Sequence, residues 1–304
     1  DRFKDDFYHM LKYDSVKVSF KPPGQPAGAY TGDDPPHPYL DKWALIAENS
    51  EKDRFDLAAG LQSATEIYMR EIFTELLKAY PQYDHLCISG GVSLNSVVMG
   101  KMLEWFEDRL SGIYAPPTPH DGGLTIGAAQ YVWHHILDNP RIKWKDNFTP
   151  YLGFSYGDIK ETLNGYDNIL YDTTTDSDVI DLLDKQNIIA VFGGGSESGR
   201  RALGNRSILA DPRSPDMNDL INEKVKHRQW FRPFAPSILR EEVKNWFGRD
   251  IPSPYMSFVL GFKEGAKEKV PAVVHHNGTA RLQTVTEDDN EWYYNFIKKW
   301  HAKS

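Results

Sequence analysis

Cysteine is almost absent from these 304 residues. Cys87 stands alone, so no internal disulfide can form, and with no secretory apolar segment in view the chain is expected in a reducing cytoplasm. Long hydrophobic runs are missing too: no stretch approaches the ~20 apolar residues of a spanning helix, so no membrane partner is expected. Positive charge is in deficit, 35 Lys and Arg against 43 Asp and Glu for a net charge of -8. That balance excludes bulk nucleic-acid binding, which needs a basic face to displace counterions. Several compact motifs are also lacking. There is no H-x-x-x-H pair, no G-K-[ST] after Gly193-Gly194-Gly195 to complete a Walker loop, and no G-x-S-x-G elbow. Aromatic residues, by contrast, are plentiful, with 16 Tyr, 15 Phe and 8 Trp in a chain that is 40% hydrophobic. Disorder is thereby excluded, and the length suggests two domains of ordinary size.

Against this acidic background one segment is basic. From Arg200 to Arg232, eight cations (Arg200, Arg201, Arg206, Arg213, Lys224, Lys226, Arg228, Arg232) face four acids (Asp211, Asp216, Asp219, Glu223). Glycines, prolines and apolar residues interleave them, which suits a folded pocket rather than a solvated lysine run. Arginine presents a planar fork of donors to phosphate and carboxylate oxygens, so this island points to a small polyanionic ligand.

Along the chain, residues 1–52 lack sustained periodicity, and Gly24 to Leu40 reads as a Gly/Pro-rich loop. From Asp53 to Ala79 the residues Leu57, Leu61, Ala64, Tyr68, Ile72 and Leu76 recur at helical spacing and predict a core-facing helix. Two strand-turn-helix units follow. The first is Leu86-Cys87-Ile88, a Ser89-Gly90-Gly91 turn and a helix over 92–110; the second is Ile113-Tyr114-Ala115, a Pro116 to Gly123 loop and a helix over 124–137. Their Gly-Gly turns match in position, and glycine before a helix N-terminus admits a phosphate to backbone amides. Residues 139–151 read as a linker. Beyond it, helices are expected at 156–163, 177–185 and 290–300, and strands at 188–192, 257–262, 273–275 and 282–285. Strict alternation is lost there, which favours α+β for the second half after an α/β first half.

Single residues read as follows. Cys87, between Leu86 and Ile88, is expected to be a buried structural thiol. His275 and His276, adjacent in an expected strand, would face opposite sides and cannot share a metal, which leaves His275 as a polar pocket residue. Asp121 reads either as the N-cap of the following helix or as a carboxylate at a ligand site beyond a strand's C-terminal end.

The runs ESGRRALGNRSILADPR (197–213), VKHRQWFRPFAPSIL (225–239) and PAVVHHNGTARLQTV (271–285) closely resemble the C-terminal domain of the O-carbamoyltransferases of nodulation-factor and antibiotic biosynthesis. ISGGVSLNSVVMGKM (88–102) and HDGGLTIGAAQYV (120–132) are similar to the second half of that family's N-terminal domain. The resemblance covers the chain from about Asp53 onward. It implies part of an actin/Hsp70-ATPase-like domain, akin to the tRNA threonylcarbamoyltransferase, over residues 1–145, and a YrdC-like α+β domain over 146–304. In such enzymes the YrdC-like domain takes carbamoyl phosphate and ATP to carbamoyl adenylate, and the other domain, holding iron, passes the carbamoyl group to an acceptor hydroxyl, with Mg2+ as helper. Carried over by position, Arg201, Arg206, Lys226, Arg228 and Arg281 form the anion-binding set, with catalysis assigned to Lys226, Arg228 and Arg201. Thr279 and His275 line the same pocket, Gly90, Gly91 and Asn95 contact nucleotide, and Asp121 becomes the metal-binding aspartate.

This sequence departs from the family pattern at both ends. The H-x-x-x-H of the iron (Fe2+) site would lie before residue 1, and a T-S-F-N-like element that helps to bind the adenylate would follow Ser304. The chain is therefore expected to be an internal piece, truncated at its C-terminus, that binds iron and adenylate below full strength. A non-catalytic nucleotide-binding module needing a partner chain, and a tRNA-modifying or hydrogenase-maturation relative, stay open as alternatives, as does a homodimer.

Overall fold

In the computed structural model, residues 2–14, 38–141 and 149–304 are described. They fall into two compact units, residues 1–84 with 105–111, and residues 85–104 with 112–304. Most of the loop expected at 24–40 and of the linker expected at 139–151 lies outside the described residues.

The first unit is helical. Helix α1 (Lys4–His9) and helix α2 (Pro38–Asn49) pack on the long helix α3 (Glu51–Ala79). Pro38 to Leu40 thus begin a helix, not the end of a loop; proline suits a first turn, whose N–H groups have no intrahelical acceptor. Ser50 caps α3 by accepting from the Asp53 amide at 3.0 Å. Phe3, Phe7, Trp43 and Ala64 form the core, with Phe7 and Trp43 stacked at 4.0 Å between centroids. Burial of each large ring is worth about 1.5–3 kcal/mol. The helix matches the expected one, but its apolar stripe is only partly covered. Ala64 is buried, whereas Leu61, Ile72 and Leu76 keep 42%, 42% and 38% exposure.

The second unit is mixed α and β. Strands β1 (His85–Cys87) and β2 (Gly112–Tyr114) pair in parallel, with Leu86 opposite Ile113. Alternation along β1 buries Leu86 and turns Cys87 out, so the thiol is exposed rather than buried as expected. The helix expected over 92–110 is interrupted. A single 3-10 turn (Gly91–Leu94) ends at Asn95, whose Oδ1 accepts from the Val98 amide at 3.2 Å and starts helix α4 (Ser96–Trp105). After β2, helix α5 (Leu124–Tyr131) widens into a π-type turn at Val132–Ile136.

Helix α6 (Ile159–Asn164) and helix α7 (Asp176–Asp184) lead into an antiparallel pair, β3 (Ile189–Phe192) and β4 (Arg206–Leu209), in which Phe192 faces Arg206. Helix α8 (Met217–Ile221) follows. Strand β5 (Ser237–Leu239) precedes the short helix α9 (Val243–Trp246), β6 (Val259–Gly261) pairs antiparallel with β7 (Thr279–Arg281), and β8 (Gln283–Val285) runs parallel to β5. Helix α10 (Glu291–Lys303) closes the chain, and its Phe296 packs with Ile180 and Leu183 of α7.

The strand expected at 273–275 is absent. Pro271 opens a 3-10 turn (Pro271–Val273), and residues 275–278 then form a tight turn in which the Gly278 amide donates to the His275 carbonyl at 2.8 Å. Proline lacks the ladder donor, and Gly278 takes the φ of +77° that the turn requires. The strand forms only after the turn, at Thr279–Arg281. His275 and His276 are therefore turn residues, not opposite faces of a strand.

Candidate functional site

The loop between β3 and β4 carries the first arginines, and a carboxylate organises it. Glu197 Oε1 accepts from three backbone amides, those of Leu203 (2.7 Å), Asn205 (3.1 Å) and Arg206 (3.2 Å). Charge-assisted bonds of this kind are about twice as strong as neutral ones. The Leu203 carbonyl in turn accepts from Tyr151 Oη and Gln283 Nε2, both at 2.8 Å. Gly204 sits at φ +123°, and a Cβ there would come within 2.5 Å of the Tyr293 ring. Sequence reasoning missed Glu197, because the amides it accepts from lie six to nine residues further on and meet it only when the loop folds back.

The loop delivers Arg200 and Arg201 to a cavity of about 400 Å³ that Lys226, Arg228 and Arg281 also line, with apolar walls from Leu209, Met217, Phe234 and Phe296. Lys226 and Arg228 arrive from a π-type turn after α8, which ends at His227 with φ +47°. Arg281 projects from β7. Five cations thus meet one cavity-lining carboxylate, Asp211, which is fully buried and already committed. It accepts from the Arg213 amide and Nε at 2.9 Å and from Arg213 Nη2 at 2.7 Å, with Gln186 Nε2 as a further donor. Burial raises the Asp211 carboxyl, but the Arg213 hydrogen bonds outweigh it and hold the group below its ordinary value.

Three guanidiniums of the cavity, those of Arg281, Arg201 and Arg228, are lowered as well. Burial, then Arg201 and Arg228, push the Arg281 pKa down to about 10. Arg201 is lowered by burial and then by Arg200, and Arg228 by burial and then by Arg232. Arg281 Nε is buried with no hydrogen-bond partner. Guanidiniums that repel one another and lack a carboxylate keep an unneutralised charge on the cavity wall.

Of the anion set read from the sequence, the structure gathers Arg201, Lys226, Arg228 and Arg281 at this cavity and adds Arg200. Arg206 is placed elsewhere. Its guanidinium donates to the carbonyls of Gly193, Asn205 (2.9 Å) and Gly194 (3.2 Å) and lies 3.8 Å from the Phe192 ring, where it braces the glycine loop. His275 and Thr279 lie off the lining. Their Nδ1 and Oγ1 meet at 3.1 Å, and burial followed by the Arg281 charge lowers the His275 pKa.

The two glycine turns come together. Gly90 N and Ser89 Oγ both donate to the Pro119 carbonyl, at 2.6 and 3.1 Å; Gly90 holds φ +105°, and both Gly90 and Gly91 leave open space where a Cβ would point. The second turn abuts the arginine loop, since Thr118 Oγ1 donates to the Ser198 carbonyl at 3.1 Å. Asn95, expected on nucleotide, caps α4. Asp121 is exposed and makes no side-chain cap, so the capping alternative is not what the structure builds. Among the described residues no group of three or more His, Cys, Asp or Glu is arranged to hold a metal ion. Asp121 therefore belongs to no such group among the described residues.

The same chain is matched by two family descriptions, Carbamoyltransferase N-terminus over residues 36–130 and Carbamoyltransferase C-terminus over 180–304, the latter spanning every cavity cation. Among curated relatives it is similar to nodulation protein NolO of Bradyrhizobium diazoefficiens, 35% identical over 261 residues covering 82% of this chain and 46% of that protein. Nodulation protein U of Rhizobium tropici is 32% identical over 252 residues, 82% of this chain and 42% of that protein. A Synechocystis protein is 35% identical over 276 residues, 81% of this chain and 44% of its own length. The chain thus spans less than half the length of each of these relatives. With both family descriptions matched in order, and the arginine-lined cavity inside the second, the chain belongs to the carbamoyltransferase family.

Proposed function

We propose that the chain carries the activating half-site of an ATP-dependent O-carbamoyltransferase: in the arginine-lined cavity water cleaves carbamoyl phosphate to carbamate and inorganic phosphate, a carbamate oxygen attacks the α-phosphorus of ATP to form carbamoyl adenylate as pyrophosphate leaves, and the carbamoyl group passes on to an acceptor hydroxyl with release of AMP. In this reading residues 146–304 are a YrdC-like domain, and residues 1–145, with the strand-turn-helix units and their paired glycine turns, are part of an actin/Hsp70-ATPase-like domain. The observation that carries it is the trio Arg201, Arg228 and Arg281, gathered without a carboxylate partner in a protein of net charge -8.

The chemistry asked of these residues is positioning and charge stabilisation. Arg228 and Arg281 bind phosphate oxygens with planar forks, Lys226 adds a point charge, and Arg201 meets the charge that builds on the departing pyrophosphate. The apolar walls lower the local dielectric and strengthen each of these contacts. Mg2+ would enter with the triphosphate, since Asp211, the carboxylate on the cavity wall, is held by Arg213.

The test is to incubate the chain with carbamoyl phosphate, ATP and a panel of hydroxyl-bearing acceptors, and to follow pyrophosphate release and acceptor mass. Release that requires carbamoyl phosphate and disappears in Arg228→Ala supports the reading. ATP binding with no turnover on any acceptor assigns a nucleotide-binding module instead, and an unchanged rate in Arg228→Ala removes the cavity from the reaction.

A further inference from the structure

The arginines of this unit are held in two different ways, and the difference follows their place. Arg213 is locked by carboxylates, Asp211 at 2.7 Å and Asp184 at 2.7 Å, and its pKa is raised. Arg228, on the cavity wall, is held only by neutral acceptors: its Nε donates to Asn222 Oδ1 at 2.6 Å and its Nη2 to the Pro233 carbonyl at 3.3 Å, with the guanidinium 4.5 Å from the Phe234 ring. A carboxylate would orient a guanidinium equally well and would also cancel the charge that an anion must find.

Asn222 has the geometry for that task. It is buried to 1% exposure behind the cavity wall, and it is not itself a lining residue. Its Nδ2 donates to Asn218 Oδ1 (2.7 Å), the Arg232 carbonyl (3.0 Å) and the Trp230 carbonyl (3.3 Å), while its own carbonyl accepts the Arg228 amide at 3.1 Å. One amide side chain therefore fixes both the guanidinium and the 229–232 loop that follows it.

We infer that Asn222 is the positioning residue of the anion site, aiming Arg228 into the cavity while leaving its charge unneutralised, so that this position accepts a neutral side chain and rejects a carboxylate. The inference rests on the cavity being an anion site, as proposed above. It goes further in assigning to a buried neutral amide the control of how much charge the site presents.

Asn222→Asp keeps size and shape and places a negative charge against Arg228 Nε. Inorganic pyrophosphate binding is measured by titration calorimetry on the parent chain, Asn222→Asp, Arg228→Ala and the double variant, with melting temperatures recorded alongside. Asn222→Asp is expected to weaken binding on the order of tenfold in the parent. In the Arg228→Ala background it is expected to change binding less than about twofold, because there is no guanidinium left to neutralise. Equal weakening in both backgrounds, or none in the parent, overturns the inference. If Asn222→Asp does not fold, Asn222→Ala takes its place: loss of the acceptor must again weaken binding only when Arg228 is present. A parent chain that fails to bind pyrophosphate sinks the proposed function itself, an outcome distinct from either of these.

Discussion

Arg281 offers the sharpest test of the electrostatics, because its effects on stability and binding have opposite signs. Burial, Arg201 and Arg228 lower its pKa to about 10. Neutral pH lies below that value, so the side chain stays charged in the fold. The charged form is destabilised by about 3 kcal/mol, at about 1.4 kcal/mol per tenfold change in proton affinity. For a cation with a depressed folded pKa this penalty is fully present at neutral pH and is relieved only as pH rises past 10. Its buried Nε adds an unmet donor. Arg281→Met fills similar space without either liability and is expected to stabilise the anion-free protein by about 1–3 kcal/mol, allowing for lost packing. For a protein of this size that raises the melting temperature by roughly 3–10 °C. The assay is thermal unfolding in phosphate-free buffer with and without inorganic pyrophosphate. The ligand should raise the melting temperature of the parent and leave that of the variant almost unmoved. A variant that melts below the parent in the absence of anion, or that gains as much from pyrophosphate, refutes the assignment of Arg281 to a strained anion site.

Two other positions test how the cavity is held. Asp211→Asn leaves Arg213 without its buried partner and is expected to cost about 3 kcal/mol at neutral pH. Because the Asp211 pKa is depressed, its contribution is present above the ordinary carboxyl value of about 4 and lost as pH falls through the folded one, so melting curves of parent and variant should converge below about pH 4. Gly100→Ala would drive a Cβ to within 2.0 Å of the Val259 carbonyl oxygen, where α4 crosses β6, and is expected to destabilise by about 2–3 kcal/mol in urea unfolding. An unchanged midpoint there would mean that α4 is free to move away from β6.

Much of the architecture was legible because its signals are local. The apolar periodicity of Leu57 to Leu76 marks one long helix, and the apolar runs before each Gly-Gly turn mark β1 and β2. β4 and β5 were not legible, since RSIL and SIL are too short and too mixed to stand out without their partners, β3 and β8. The expected strand at 273–275 failed because proline and the His275–Gly278 turn set the backbone before side-chain preference acted. Exposure of Cys87 likewise depends on which face of a three-residue strand is covered.

The sequence by itself determined that this chain is acidic, has the aromatic content of a folded core, lacks a disulfide, and concentrates guanidinium between residues 200 and 232. Density of charge is a property of adjacent residues, so it needs no fold to be seen. The tertiary structure alone decided which of those arginines face a ligand. Arg206 and Arg213 look no different from Arg201 and Arg228 in the sequence, yet backbone carbonyls claim the first and the carboxylates of Asp211 and Asp184 the second, while Arg281, some fifty residues beyond the island, is brought to the cavity by β7. An arginine's role is set by which acceptors reach it, and those acceptors are distant along the chain and meet it only when the strands pair.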